Sequence, residues 1–574
     1  VSKTPSRRVV PRAFTLSLLS GILLWAAFPP VGWSWLGWIA PVPWLWLVRD
    51  EAWRCRRPYV WVWAAASIHW LAVLQGIRLP YWILYFGWIA LSLYVAVYLP
   101  VFVAATRVAV HRWRVPLPLA APIAWVACEF VRGHAITGFS GALLGHTQVR
   151  VTPLIQIADL GGAYAVSFLI MLVAGCLASL DRSRRGARTR LAVAALAVLA
   201  ALAYGAVRRL PPAESDYRAI RVALLQGTFN TVFEAPDPER NRAVFEQYLR
   251  VAERAAGEQL GIDLMVWPES TFSENNPNWL LGDTIVSPDG STVDSGAFES
   301  RVREREASFR AKCAEVARRV RAGQEAARRA ASSGAADGAT RATRQLVGVE
   351  TINLLGPHMR THNSALLLDP DGRSAARYDK VHLVMFGEYI PFGDRFPWIY
   401  SISPMAGGLT PGDGPVPMTV GSMRLVPSVC FDSFVPHLVR SQVATLIREG
   451  MPPDLLVNVT HDGWFWGSSM LDLHLACSVF RAVEHRRPML VAANPGLTAS
   501  IDGDGRIRRE LPRLTEDYLF DVVGADTRWS LYSRLGDLPA AVCLVVTVGW
   551  CAAHVQDRWR RSRGSQGAAS RSAG

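Results

Sequence analysis

A chain of 574 residues that is 51% hydrophobic and 19% charged falls below the roughly 25% charge of an average soluble domain; this excludes a wholly water-soluble protein and leaves length for a membrane part beside a soluble part with its own core. The formal charge of +14 would suit nucleic acid, but the basic residues cluster in short loops beside apolar runs, where they set topology and meet anionic headgroups. No nucleic-acid partner is expected. The eight cysteines show no Cys-x-x-Cys and no regular spacing, and Cys55, Cys128, Cys176, Cys543 and Cys551 fall in or beside apolar segments. That pattern argues against a disulfide framework and against a metal site.

In chain order, eight stretches approach the ~20 apolar residues a spanning helix needs: 13–30, 33–48, 58–76, 83–106, 117–133, 161–180, 190–208 and 537–555. The second is short and carries Pro41 and Pro43. The third contains His69. The fifth ends in Glu129 and Arg132, one helical turn apart and able to pair. The first is followed by further spans and by no small-residue cleavage site, so it is read as a helix rather than a removed leader. The 22 tryptophans suit the two membrane interfaces.

The loops alternate in charge. Lys3, Arg7, Arg8 and Arg12 lead the chain; Arg49, Arg54, Arg56 and Arg57 follow the second stretch. Arg107, Arg112 and Arg114 follow the fourth, Arg182, Arg184, Arg185, Arg188 and Arg190 the sixth, and Arg558, Arg560, Arg561 and Arg563 the eighth. The positive-inside rule then puts both termini in the cytoplasm and residues 209–536 on the exoplasmic face. Arg208 and Arg209 run against this, but large domains translocate largely regardless of charge.

Between the last two spans the sequence alternates strands and helices. Strands are expected at Ile220–Gln226, Asp263–Trp267, Gln345–Thr351, Ser364–Leu368, Met423–Val429, Leu455–Val459 and Met489–Ala493, with helices over 237–257 and Met470–Arg486. Phe298, Val302, Phe309, Cys313, Val316 and Val320 recur at steps of three, four or seven, the stripe of an amphipathic helix over 298–330 packed on the domain. Residues 331–343 read as a flexible loop and 274–297 as a surface insertion with turn chemistry. The expected architecture is a helical membrane domain at 1–210, an α/β domain with helices on sheet faces at 211–535, and a membrane helix with a basic tail at 536–574.

Three segments of this soluble block end strands with reactive side chains. They are Leu264-Met-Val-Trp-Pro-Glu269, Tyr378-Asp-Lys380 running through Glu388, and Met423-Arg-Leu-Val-Pro-Ser-Val-Cys430. A thiol with a pKa near ~8.5 is mostly protonated at neutral pH and needs a base or a cation to become a nucleophile. Glu269 suits the base and Lys380 the cation or oxyanion donor, with the Phe431 N–H as a second donor. Taken singly, Cys430 also fits a core thiol, Glu269 a helix cap and Lys380 a solvated partner of Asp379. His461, His474 and His485 raise a Cys–His enzyme, but no papain- or caspase-like motif surrounds Cys430.

The three segments in this order resemble the nitrilase-type carbon–nitrogen hydrolases, and more narrowly the bacterial apolipoprotein N-acyltransferases. The narrower resemblance rests on Trp125-Val-Ala-Cys-Glu-Phe-Val-Arg132 followed by Thr137-Gly-Phe139, on Lys380 through Pro391, on Asn458-Val-Thr-His-Asp-Gly-Trp464-Phe465, and on Arg481-Ala-Val-Glu484 through Pro488 followed by Asn494-Pro-Gly-Leu-Thr498. It implies an αββα sandwich with Glu269 as general base, Lys380 as oxyanion stabiliser, Cys430 as nucleophile and Glu388 in support. The family's frequent Cys-Tyr-Glu reads Cys430-Phe431-Asp432 here, which leaves only the backbone role at Phe431 and a shorter carboxylate at Asp432. The implied reaction moves an acyl chain from a membrane phospholipid, through a thioester on Cys430, to the α-amine of a diacylglyceryl cysteine at a lipoprotein N-terminus. No cofactor is implied and a monomer is expected. Trp464, Phe465 and Phe386 are candidates for an acyl-facing wall and equally for core. Two other readings are a membrane-tethered amidase with water as acceptor and an inactive membrane scaffold.

Overall fold

A computed structural model describes residues 11–53, 55–180, 184–210, 218–231, 237–274, 276–282, 295–331, 342–355, 358–393, 395–402 and 408–571. The expected loop at 331–343 therefore lies almost wholly outside the described residues, as do Lys3, Arg7, Arg8, Arg54 and Arg182. The chain forms two compact units, one of residues 1–78, 83–210 and 535–574, the other of residues 79–82 and 211–534.

The first unit is helical. All eight apolar stretches contain helix, but among the described residues three helices are long and apolar enough to cross a membrane: Leu84–Arg112, Arg185–Arg208 and Leu538–Arg561. Thr152–Gly161 and Ala163–Ala178 make a fourth if the pair is one span bent by 116°. The bend falls at Gly162, whose φ of +69° a side chain would resist. Arg12–Ala27 and Pro58–Val73 have 16 residues each, about 24 Å of helix against a hydrocarbon core of about 30 Å. The stretch 33–48 is broken into Leu36–Ile39 and Val42–Arg49, because Pro41 and Pro43 cannot donate into a continuous ladder. Glu129 and Arg132 are both buried and turn to backbone: Glu129 Oε1 accepts from Leu144 N at 2.7 Å, and Arg132 Nη2 donates to Gly141 O and Ala142 O. They fold the following loop back onto their own helix.

The second unit is a two-sheet sandwich. Its strands are β1 (Ala219–Gln226), β2 (Leu264–Val266), β3 (Asn278–Leu281), β4 (Arg344–Leu354), β5 (Arg360–Leu368), β6 (Ser374–Asp379), β7 (Met418–Val420), β8 (Met423–Val429), β9 (Leu455–His461), β10 (Met489–Asn494), β11 (Ala499–Ile501), β12 (Ile507–Glu510) and β13 (Asp517–Gly524). One sheet runs β13-β1-β2-β4-β5-β6 with β3 also on β4; the other runs β12-β11-β10-β9-β8-β7. The neighbours β1-β2-β4 and β8-β9-β10 are parallel, and the edges are antiparallel.

Strand alternation builds the layers. Val222 and Leu224 of β1 face Leu425, Val457 and Leu490 of the other sheet, while Ala223 and Leu225 face the outer helices. Outer cover for the first sheet comes from helices Pro238–Glu258 and Ser295–Ala331. The former starts where Asp237 accepts from Glu239 N and Arg240 N, with Pro238 in its first turn. It buries Phe245, Tyr248, Val251, Ala252 and Ala255. The latter is the expected amphipathic helix, and its buried stripe is Val302, Phe309, Cys313, Val316 and Val320. Pro436–Arg448 and Met470–His485 pack on the second sheet.

One expectation needs correction. Residues 274–297 are not a surface insertion throughout, because β3 pairs in parallel with β4 from Thr351 to Leu354. Trp279 is buried against Val302 and Leu354. The turn-forming residues around it masked a four-residue strand. The remainder of that stretch, 283–294, lies outside the described residues. Trp279→Ala is accordingly expected to destabilise the protein by about 3 kcal/mol, read as a lower denaturation midpoint; an unchanged midpoint would return the segment to the surface.

Candidate active site

Glu269 follows β2 directly, at the end of the parallel strand pair. Its carboxylate is buried and doubly held: Oε1 accepts from Asn363 Nδ2 at 2.6 Å and Oε2 from His461 N at 2.7 Å. The β2 end approaches β4 so closely that a Cβ on Gly348 would lie 2.4 Å from Glu269 Cα. Only glycine fits there.

Lys380 follows β6 and is 1% exposed. Its Nζ lies 2.8 Å from each of the two carboxylate oxygens of Glu388. Glu388 also accepts from Val384 N at 2.9 Å and from Asn363 Nδ2 at 3.1 Å. Burial works against the Lys380 ammonium, but the carboxylates around it, Glu388 first and then Glu269 and Asp432, outweigh burial and raise its pKa. Lys380 is therefore charged at neutral pH.

Cys430 ends β8 with φ at +50°. A non-glycine residue in that left-handed region stores about 1–3 kcal/mol of strain and persists only where its surroundings hold it. The side chain is half-buried. Burial first, and the Glu269 carboxylate second, push the thiol pKa well above its ordinary value, with Lys380 pulling it back. The resting group is a thiol facing a carboxylate, not a preformed thiolate.

The residues after Cys430 act differently. Phe431 stacks between His382 and Phe434, at ring separations of 5.8 and 5.0 Å. Asp432 is fully buried, accepting from Tyr378 Oη at 2.7 Å, Val429 N at 3.1 Å and His382 N at 3.1 Å. Burial raises its pKa to about 6, against the opposing pull of Lys380 and these donors. Phe386 is 64% exposed with φ at +60°, and Trp464 and Phe465 are half-buried, so none of the three is core.

Asn363, on β5, went unnoticed in the sequence. Its one amide nitrogen bridges Glu269 and Glu388 and ties Glu269 to the partner of Lys380. The available signal was an asparagine inside a strand, where its type is disfavoured. The charges and hydrogen bonds thus bring Glu269, Lys380, Glu388 and Cys430 into one cluster, competent for attack on a carbonyl carbon. Iodoacetamide labelling of Cys430, followed by peptide mass spectrometry, is expected to rise about tenfold per pH unit from pH 7 to 9, as the thiolate fraction does below a raised pKa. A rate flat over that range would mean a thiolate already formed.

Comparisons with known proteins cover both units. The family described as apolipoprotein N-acyltransferase N-terminal domain matches residues 20–176, and that described as carbon-nitrogen hydrolase matches residues 221–526. An apolipoprotein N-acyltransferase of Rhodopirellula baltica is 31% identical over 560 residues, 92% of this chain and 94% of the relative. One of Geobacter metallireducens is 32% identical over 563 residues, 94% of this chain and 95% of the relative. Among solved structures, an amidase from Nesterenkonia sp. aligns at 19% identity and a TM-score of 0.33 over 54% of this chain and 91% of the amidase.

Proposed function

This chain belongs to the apolipoprotein N-acyltransferase family of carbon–nitrogen hydrolase enzymes, and on that premise we propose that its lipoprotein N-acylation runs as a two-step transfer through Cys430. The observation that carries the reading is the buried cluster in which Glu269 and Lys380 share one thiol's surroundings.

In the first step Glu269 takes the Sγ proton as sulfur attacks the ester carbonyl of a phospholipid. The oxyanion is met by the Lys380 ammonium and the Phe431 N–H. Lys380 has three N–H donors, two of which can be occupied by the oxygens of Glu388; the third is left for the oxyanion. Collapse breaks the ester C–O bond, the departing glycerol oxygen takes the proton from Glu269, and a thioester remains. In the second step the neutral α-amine of the diacylglyceryl cysteine attacks the thioester carbon. Glu269 accepts an amine proton and returns it to sulfur as the C–S bond breaks. The amide formed is more stable than the thioester, so transfer runs downhill. The exposed Phe386 ring and the half-buried Trp464 and Phe465 are the apolar side chains offered to an acyl chain.

The orientation we assign follows the loop charges, with the catalytic unit on the periplasmic face of the bacterial inner membrane. A cysteine at exposed Arg373 is expected to react with a membrane-impermeant maleimide in spheroplasts; labelling only after lysis would reverse the orientation.

Intact-mass analysis after incubation with phospholipid is expected to show an acyl-sized adduct on Cys430, removable by hydroxylamine and absent in Cys430→Ser. Glu269→Gln is expected to lower acyl transfer by roughly 10²–10⁴-fold. Release of free fatty acid with no acylated peptide would identify a hydrolase. Full activity in Cys430→Ala would remove the triad.

A further inference from the structure

Below the strained nucleophile lies a polar network that the two-step transfer does not use. The carbonyl oxygen of Cys430 accepts from Ser433 Oγ at 3.2 Å and from Asn458 Nδ2 at 3.4 Å. Asn458 Nδ2 also lies 3.2 Å from Ser433 Oγ. Both groups converge on one ring nitrogen, with His474 Nε2 2.8 Å from Ser433 Oγ and 3.3 Å from Asn458 Nδ2. The opposite nitrogen, His474 Nδ1, lies 2.8 Å from Asp462 Oδ1, which also accepts from Thr460 Oγ1 at 2.9 Å. Asp462, His474, Ser433 and Asn458 are all buried, at 2%, 2%, 0% and 0% exposure.

The donors and acceptors fix the ring. The Asp462 carboxylate accepts from His474 Nδ1, and the hydrogen-bearing groups Asn458 Nδ2 and Ser433 Oγ face Nε2. Asn458 has two amide protons and Ser433 one hydroxyl proton, enough to meet Nε2 and the Cys430 carbonyl together. The ring of Phe434 packs on His474 at 4.7 Å. Arg481, in a buried pair with Glu484, reaches Ser433 O at 3.5 Å. Asp462, His474 and Ser433 have the residue types of a hydrolase triad, but Ser433 is buried and its hydroxyl turns toward His474 and the Cys430 carbonyl. Its position suits a brace.

We propose that His474, held by Asp462, is a positioning residue for acyl transfer: through Ser433 and Asn458 it fixes the Cys430 carbonyl and so holds the nucleophile in its left-handed conformation. The inference rests on Cys430 being the nucleophile. A residue held off its preferred backbone region relaxes when its restraints go, and a displacement of about 1 Å at a reacting atom costs on the order of 100-fold in rate.

The test uses the full-length protein in detergent micelles, with phospholipid as donor and a diacylglyceryl peptide as acceptor. Wild type, His474→Phe, His474→Gln and Ser433→Ala are compared by kcat, KM for phospholipid, the Cys430 adduct and Tm. His474→Phe keeps a ring and loses both hydrogen bonds; kcat is expected to fall about 100-fold with KM within about twofold. The Gln amide offers an N–H to Asp462 and an oxygen to Ser433, so His474→Gln is expected to recover most of that loss at a Tm no higher than that of His474→Phe. Ser433→Ala is expected to lower kcat about tenfold at unchanged KM, and it decides the matter alone if His474→Phe does not fold. Wild-type kcat in His474→Phe or in Ser433→Ala overturns the inference, as does a Gln variant no better than Phe. Absence of the adduct in the wild-type protein is a separate failure, which removes Cys430 as nucleophile and this inference with it.

Discussion

The arrangement depends on one buried ammonium. Lys380 is 1% exposed, and removing such a charge from water costs several kcal/mol unless partners compensate. Glu388 supplies the direct pair, and Glu269 and Asp432 add further negative charge. Three carboxylates around one ammonium would repel one another, and backbone and amide N–H groups offset that: His461 N and Asn363 Nδ2 on Glu269, Val384 N on Glu388, Val429 N and His382 N on Asp432. The local excess of negative charge has a chemical consequence. Together with burial, the larger cause, it pushes the Cys430 thiol pKa well above its ordinary value.

Such a cluster requires strand ends from two sheets. Glu269, Asn363 and Lys380 come from β2, β5 and the end of β6, while Cys430 and His461 come from β8 and β9. The parallel strands bring their carboxyl ends to one side of each sheet, and the apolar layer of Val222, Leu346, Leu425 and Val457 fixes the spacing between them. Slipping any central strand by one residue would turn its whole buried set to the other face. Core packing therefore sets the register on which the site's distances depend. The Gly348 approach to Glu269 applies the same constraint within one sheet.

Much of this was readable in the chain because the central strands are apolar and the helices periodic. The Phe298-to-Val320 stripe marked the helix Ser295–Ala331, and Met423–Val429 and Leu455–Val459 stood out as runs rich in Leu and Val. Short or polar edge strands were not readable. Strand β12 is Ile-Arg-Arg-Glu and β6 is Ser-Ala-Ala-Arg-Tyr-Asp, and their pairing comes from neighbours rather than from their own pattern. The stretch 33–48 was overread for a related reason: an apolar window does not show where Pro41 and Pro43 interrupt a helix. Glu269, Lys380 and Cys430 carry chemistry in their side-chain types and could be singled out. Asn363 and Ser433 could not, because their parts in the cluster exist only once strands distant in sequence adjoin.

The change from Tyr-Glu to Phe431-Asp432 after the nucleophile can be understood from the same geometry. Asp432 makes no contact that requires a longer arm. Its three donors, Tyr378 Oη, Val429 N and His382 N, all lie within 3.1 Å. It ties the turn carrying Cys430 to the segment carrying Lys380. Phe431 contributes its ring to the His382–Phe434 stack, which leaves its backbone N–H as the only polar group it offers. The missing hydroxyl therefore costs this site no hydrogen bond. The side-chain stack that replaces it restrains the Phe431 peptide, which the proposed role of its N–H as an oxyanion donor requires.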